Sequence, residues 1–368
     1  MTTGTPRFHW FLPTGGDGRD LAGGVHGIGI GAGSRTPGRG RPASLGYLTQ
    51  LARAADELGY EAVLTPTGAH CEDAWIVTAA LIAATRRLKF LVAFRPGLVE
   101  PALAAQMAAT FDHLSDGRLL LNVVTGSSGA EQRAYGDRAE HDTRYVRAEE
   151  FVQVLRAAWT GRPFDHHGWY YELAGAQLRE PPRTVPEVYL GGSSDAALGV
   201  AARQADSYLT WGEPPAAVAE KIARVRELAA AEGRTLRYGL RIHVITRDSE
   251  EQAWADAERL LAGVDSDAIA ARQMGLRQLE SVGQQRMLAL HGGSREHLVV
   301  APNLWAGIGL VRGGAATALV GSHEQVAERI TEYREAGIEE FVLSGYPHLE
   351  EAYAFAEGVR PLLAKGPV

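Results

Sequence analysis

A single cysteine, Cys71, among 368 residues leaves no partner for an intrachain disulfide and no set of thiolates for a zinc or iron–sulfur site. No apolar run approaches the roughly 18 residues of a membrane span, and the opening MTTGTPRFHWFLPTGGDG lacks the charged start and apolar stretch of a secretory signal. Positive charge is not in excess: 37 Lys and Arg stand against 44 Asp and Glu, a formal charge of −7, which gives no footprint for nucleic acid or an anionic membrane. The glycine-rich stretch GGDGRDLAGGVHGIGIGAGSRTPGRGR (15–41) contains neither G-x-G-x-x-G nor G-x-x-x-x-G-K-[ST], so a dinucleotide or P-loop phosphate cradle is not supported. Twelve histidines include no H-E-x-x-H and no three at zinc-ligand spacing, and no metal is assigned. These absences lead to the expectation of a cytoplasmic protein whose partners are small molecules or other proteins.

What is present is a chain 45% hydrophobic and 22% charged, able to bury a full-sized core. Short apolar runs alternate with longer amphipathic segments from one end to the other, the pattern of βα units. Eight strand-like runs stand out: FHWFLP (8–13), EAVLTP (61–66), LKFLVAF (88–94), GRLLLNVVT (117–125), EVYLGG (187–192), DSYLTW (206–211), RYGLRIHVIT (237–246) and EEFVLSG (339–345). Helical periodicity falls at about 46–59, 73–86, 100–115, 143–159, 194–204, 215–232, 323–336 and 350–362. Ser322 with Gln325 reads as a capping box, and Gly59, Gly233 and Gly337 read as helix stops. Eight repeats predict an α/β TIM barrel with active groups at the C-terminal ends of its strands; a doubly wound open sheet is the competing fold. Insertions are expected at 15–43, as a mobile glycine-rich loop, at 126–142, and at 247–322, as a lid on one barrel domain.

Several residues have the chemistry and position of site groups. Arg241 and His243 lie two apart in a strand and share a face; the alternative is an arginine paired with a carboxylate beside a satisfied core histidine. Arg312 precedes two glycines within the expected lid, where the alternative is a solvated loop arginine. Tyr346 and Trp211 end strands eight and six, and an aromatic at such a place also serves packing. Cys71 stands before a helix, but Glu72 and Asp73 oppose a reactive thiolate. Gly191-Gly192-Ser193-Ser194 joins strand five to a helix, which suits a phosphate or is a plain turn with an N-cap serine.

At PTGAHCEDAW (66–75), YLGGSSD (189–195), YLTWGEPP (208–215), GLRIHVI (239–245), ESVGQQRM (280–287), PNLWAGIGLVRGGAATALVG (302–321) and FVLSGYPHLEEAY (341–353), the chain resembles the flavin-dependent alkanesulfonate monooxygenases of the bacterial luciferase-like family. The resemblance runs from Phe8 to about Leu363. It implies a TIM barrel, reduced FMN supplied by a separate NAD(P)H-dependent FMN reductase, oxygen as co-substrate, and cleavage of an alkanesulfonate to aldehyde and sulfite. It also implies a homo-oligomer, dimer or tetramer. By the resemblance Cys71 matches the cysteine near the flavin pocket, and Trp211, Arg241, His243, Arg312 and Tyr346 match the cluster that holds sulfonate and oxygenated flavin; by analogy with related flavin barrels Asn122 and Thr125 are expected at the isoalloxazine ring, and Tyr145, Ser193 and Ser194 at the phosphate. The chain departs from the pattern at Gly15, where relatives carry histidine, and in its enlarged loop at 22–43. Other readings on the same fold are a monooxygenase for methanesulfonate or another organosulfur compound, a deazaflavin-dependent dehydrogenase, and a flavin-binding protein without turnover. A non-redox barrel hydrolase is disfavoured by the missing metal set and nucleophile–base pair.

Overall fold

The computed structural model describes residues 5–21 and 40–364, so the glycine-rich loop expected at 22–43 lies largely outside the described residues. Helices follow strands as the apolar runs predict. The first half is built from β1 (Arg7–Phe11), α1 (Leu45–Glu57), β2 (Ala62–Thr65), α2 (Ala74–Leu81), β3 (Lys89–Phe94), α3 (Pro101–Ser115) and β4 (Leu119–Val123). After α4 (Gly129–Ala134) and α5 (His141–Ala158), a hairpin of β5 (Phe164–His167) and β6 (Glu172–Ala176) precedes β7 (Glu187–Gly191), α6 (Asp195–Gln204), β8 (Ser207–Trp211) and α7 (Pro215–Ala231). Strand β9 (Arg237–Arg247) leads into α8 (Glu250–Leu261), α9 (Ser266–Arg277) and α10 (Val282–His291). Then come β10 (Val299–Ala301), β11 (Leu304–Trp305), β12 (Ala318–Ser322), α11 (His323–Glu335), β13 (Glu340–Ser344), α12 (His348–Ala354) and, past a π-helical turn at Phe355–Val359, α13 (Arg360–Ala364).

Eight of these strands form a closed parallel barrel in the order β9-β13-β1-β2-β3-β4-β7-β8, with β8 pairing back to β9. They are the eight runs read from the sequence, and closure excludes the open sheet. Side-chain alternation divides two cores. Phe11, Leu64, Leu91, Leu120, Leu209 and Val342 pack with each other inside the barrel, while their neighbours Trp10, Val63, Phe90, Leu121, Tyr208 and Phe341 face the helices. Gly239 points inward where a Cβ would run into Leu209 Cδ2, so a side chain is excluded there by the filled interior. Local signals also hold: Ser322 and Gln325 form the capping box, and Gly59, Gly233 and Gly337 take the positive φ values that end their helices.

Three stretches differ from the expectation. Residues 126–142 contain a six-residue helix, α4, whose N-cap is Ser128. Ala318–Ser322, expected within the lid, is a strand lying parallel to the upper half of β9, because Leu319 and Val320 need apolar cover that an isolated lid segment does not give. The hairpin β5–β6 has no strong alternation; Glu150 on α5 organises its turn by accepting hydrogen bonds from the backbone N–H groups of Trp169, Tyr170 and Tyr171.

At the barrel's lower end the interior is ionic. Glu340, fully buried, accepts from His9 Nε2 at 3.2 Å and pairs with Arg237, which reaches Glu187 at 2.6 Å. Burial opposes ionisation of this carboxyl, but the His9 hydrogen bond and Arg237 prevail and hold it at about 2, below the usual 4.5. Glu340→Ala should therefore cost about 3–5 kcal/mol at pH 7, the range for breaking one side of a buried pair. A group with a depressed folded pKa stabilises above its unfolded pKa and loses that contribution as pH falls through the folded one. The gap between wild type and variant in urea denaturation should thus narrow between about pH 4.5 and pH 2; a gap that stays constant over that window would refute the assignment.

Candidate functional site

Above the apolar barrel interior the strands end in a cavity of about 260 Å³. Strand β9 supplies its floor, since the period of two that puts Arg237 at the lower end brings Arg241 and His243 inward at the upper end. The guanidinium of Arg241 lies 4.7 Å over the Phe11 ring and donates from Nη1 to the carbonyls of Ile242 and Val342 at 3.1 and 3.4 Å. Arg312 follows a 3₁₀ turn at Gly307–Leu310, and its Cζ sits 5.2 Å from the centre of the Tyr346 ring. Its Nε and Nη1 are buried and have no hydrogen-bond partner. Among the described residues neither arginine has an ion-pair carboxylate. Burial pushes both guanidiniums down to about 9, with Arg241 adding to the effect on Arg312, so both stay charged at neutral pH. Two cations held in one cavity without an acidic partner form a site for an anion, because an uncompensated buried charge costs several kcal/mol.

His243 is fully engaged by the protein. Its Nε2–H donates to the Ala315 carbonyl at 3.0 Å, its Nδ1 accepts from the Ser344 hydroxyl at 2.6 Å, and its ring stacks on Tyr346 at 5.4 Å. Burial first, then Arg241 and Arg312, pushes its pKa well below the ordinary value, so the imidazole is neutral. Tyr346, 2% exposed, is stacked behind Arg312 and His243 and does not line the cavity. Below it, His348 donates from its backbone N–H and Nδ1 to the buried carboxylate of Asp17 at 2.9 and 2.8 Å, and Tyr47 donates its hydroxyl to the same group.

The other sequence-derived residues divide between lining and support. Cys71, Trp211, Asn122, Thr125, Tyr145 and Ser193 line the cavity. Ser194 does not; its hydroxyl caps α6 by accepting from Ala197 N. Gly192, at φ 138°, leaves the approach to Ser193 and the start of α6 open: a Cβ there would lie 2.8 Å from the Tyr145 hydroxyl oxygen and overlap Ala197. Gly15 also lines the cavity. Sequence reasoning missed His70, His141, Ser127, Ser281 and Gly283, all of which face it. Ser281, the N-cap of α10, was signalled by serine before a helical run; the others belong to loops or helix starts with no local signature.

The sequence pattern of the luciferase-like monooxygenases matches residues 6–340, and the chain belongs to that family. Its fold is similar to three solved structures. One is riboflavin lyase (RcaE) with modified FMN and riboflavin, at a TM-score of 0.82 and 22% identity, covering 98% of this chain and 92% of that one. Another is the long-chain alkane monooxygenase LadA, at 0.77 and 21%, covering 99% and 92%. The third is the EDTA monooxygenase EmoA from Chelativorans sp. BNC1, at 0.75 and 21%, covering 98% and 94%.

Cys71 donates its thiol to the Gly68 carbonyl at 3.3 Å, and burial pushes it up to about 11. Little thiolate exists at neutral pH, which suits a wall of the cavity better than a nucleophile. Alkylation of Cys71 by iodoacetamide in the folded protein should run at least tenfold slower than that of a free thiol at pH 8 and accelerate up to about pH 11. A rate equal to that of the denatured chain at pH 8 would show a reactive thiolate instead.

Proposed function

We propose that this chain is a two-component monooxygenase that takes reduced FMN from a separate NAD(P)H-dependent reductase and uses oxygen to convert an alkanesulfonate into an aldehyde and sulfite. The observation that carries the reading is the pair of guanidiniums, Arg241 and Arg312, that face one cavity with no ion-pair carboxylate among the described residues. A sulfonate is a monoanion at every physiological pH, and its three oxygens suit permanently charged, planar donors. The overall change balances as RCH₂SO₃⁻ + FMNH₂ + O₂ giving RCHO + HSO₃⁻ + FMN + H₂O.

The cavity's residues fit a flavin phosphate at one side. Gly192 keeps the backbone bare beside the start of the ten-residue α6, where free N–H groups favour an anion, with Ser193 and Tyr145 adjacent. Tyr145 and Ser193 would hold the phosphate, and Asn122 and Thr125 the ring. When bound, reduced flavin supplies the two electrons with which oxygen is split. Arg241 and Arg312 bind the sulfonate and orient the carbon that loses it. His243 keeps its proton on Nε2 against the Ala315 carbonyl, so it presents a neutral wall between two cations and does not compete for the anion. Tyr346 holds the Arg312 guanidinium from below, Trp211 and Cys71 complete the walls, and the segment carrying Arg312 excludes water. The same reading makes the protein a cytoplasmic homo-oligomer.

Sulfite release from a panel of linear sulfonates, with an FMN reductase, NAD(P)H and oxygen, tests this; no sulfite from any member, or turnover of the matching carboxylates instead, would overturn it. Arg312→Ala should lower kcat/KM by about 10- to 150-fold with no loss of melting temperature, since a buried charge-assisted contact is worth about 1.5–3 kcal/mol. Reduced FMN should bind more tightly than oxidised FMN in anaerobic titration, and equal affinities would count against a diffusible cofactor. Because Gly15 leaves open a place that relatives fill with histidine, sulfonates longer than one carbon should be preferred, each buried methylene adding about 0.8 kcal/mol. A Gly15→His variant with the same chain-length profile would remove that explanation.

A further inference from the structure

The turn that carries Arg312 is gripped from both sides by two buried amides of the lid helices. Gln273, on α9 and 4% exposed, donates from Nε2 to the carbonyls of Gly309 and Leu310 at 3.0 and 2.8 Å, just before the arginine. Gln284, on α10 and 1% exposed, accepts at Oε1 from the backbone N–H of Gly314 at 2.9 Å, just after it. The remaining atoms, Gln273 Oε1 and Gln284 Nε2, have no hydrogen-bond partner, so each buried side chain is spent on the Arg312 turn. Arg312 N–H closes the turn on Ile308 O at 3.0 Å. Helix α10 is in turn fixed to the barrel rim: Arg286 pairs with the buried Glu213, two residues past Trp211, and Gly283 packs against the Trp211 ring.

We propose that Gln273 and Gln284 are positioning residues that aim Arg312 into the cavity, one by donating and the other by accepting. The assignment of Arg312 to a substrate anion rests on the function proposed above; the clamp itself does not. The Arg312 guanidinium rests on the Tyr346 ring and has no carboxylate partner among the described residues, so its aim depends on its backbone, and Gly313 and Gly314 give that backbone unusual freedom. Hydrogen bonds of opposite polarity, two on the peptide groups before the arginine and one on the group after it, remove that freedom without placing a negative charge beside the cation, as an aspartate or glutamate clamp would. A bound anion can then pair with the guanidinium directly, while Asp17 acts on it only through space.

The opposite polarities give a test that packing alone would not pass. At pH 8 a glutamate has the shape of glutamine and accepts, but does not donate. Hydrogen–deuterium exchange of the segment 309–316 should therefore remain near wild type in Gln284→Glu and rise at least tenfold in Gln273→Glu. Both Gln273→Met and Gln284→Met should show the rise, with exchange in the barrel strands unchanged. Either methionine variant should also raise KM for octanesulfonate at least tenfold while kcat falls less than threefold. Equal exchange in the two glutamate variants, no rise in the methionine variants, or a loosened turn with an unchanged KM would each overturn the proposal. If a methionine variant fails to fold, the glutamate pair alone decides. If wild type neither binds nor turns over octanesulfonate, the function proposed for the site fails, and the exchange comparison still decides the clamp.

Discussion

Two guanidiniums share a cavity at the mouth of this barrel with no ion-pair carboxylate among the described residues, and the surroundings are arranged to make that tolerable. Aromatic faces lie under both cations, Phe11 beneath Arg241 and Tyr346 beneath Arg312, and such contacts return part of the lost hydration without cancelling charge. The imidazole between them is kept neutral by donating to one protein oxygen and accepting from another. The nearby carboxylate, Asp17, already serves Tyr47 and His348, so its charge reaches Arg312 only through space. Each of these choices preserves a positive field inside the cavity.

That field stands on an apolar plug. In the middle of the barrel Phe11, Ala62, Leu64, Leu91, Leu120, Tyr189, Leu209 and Val342 pack together, and below them Glu340 pairs with His9 and with Arg237, which also reaches Glu187. Charge is thus kept at two ends of the interior with a packed layer between them. The lower set pairs within itself; the two upper arginines have no ion-pair carboxylate among the described residues.

The backbone plan was legible because it is written in local terms. Apolar runs of strand length, helical periodicity, the Ser322 capping box and the glycine helix stops all act over a few residues, and all reappear in the fold. Arg241 and His243 were placed on one face by the strand period alone. What the sequence did not disclose was where side chains turn at strand ends and which distant groups they meet. Tyr346 follows the end of strand β13 as expected, yet it packs behind Arg312, a contact set by a segment some thirty residues earlier. Ser194 had two readings, and the helix cap took its hydroxyl. Gln273 and Gln284 sit in ordinary helical surroundings, and their partners lie 36 and 30 residues away, beyond the reach of any motif.

Strand β9 runs for eleven residues, longer than any other in the barrel, and its odd-numbered positions carry the whole vertical plan. Arg237 belongs to the lower ionic set, Gly239 gives room to the plug, Arg241 and His243 line the cavity, and Arg247 pairs with Asp256 and Glu351 above it. Because side chains alternate, inserting or deleting one residue near its start would turn these positions toward the helices and bring Tyr238, Leu240, Ile242 and Val244 into the barrel. Stability, binding and the anchorage of the upper segments would fail in one step. Drift along this strand can therefore proceed by replacement of side chains but not by a change of length, and descendants of the sequence should vary the loops around β9 while keeping its residue count.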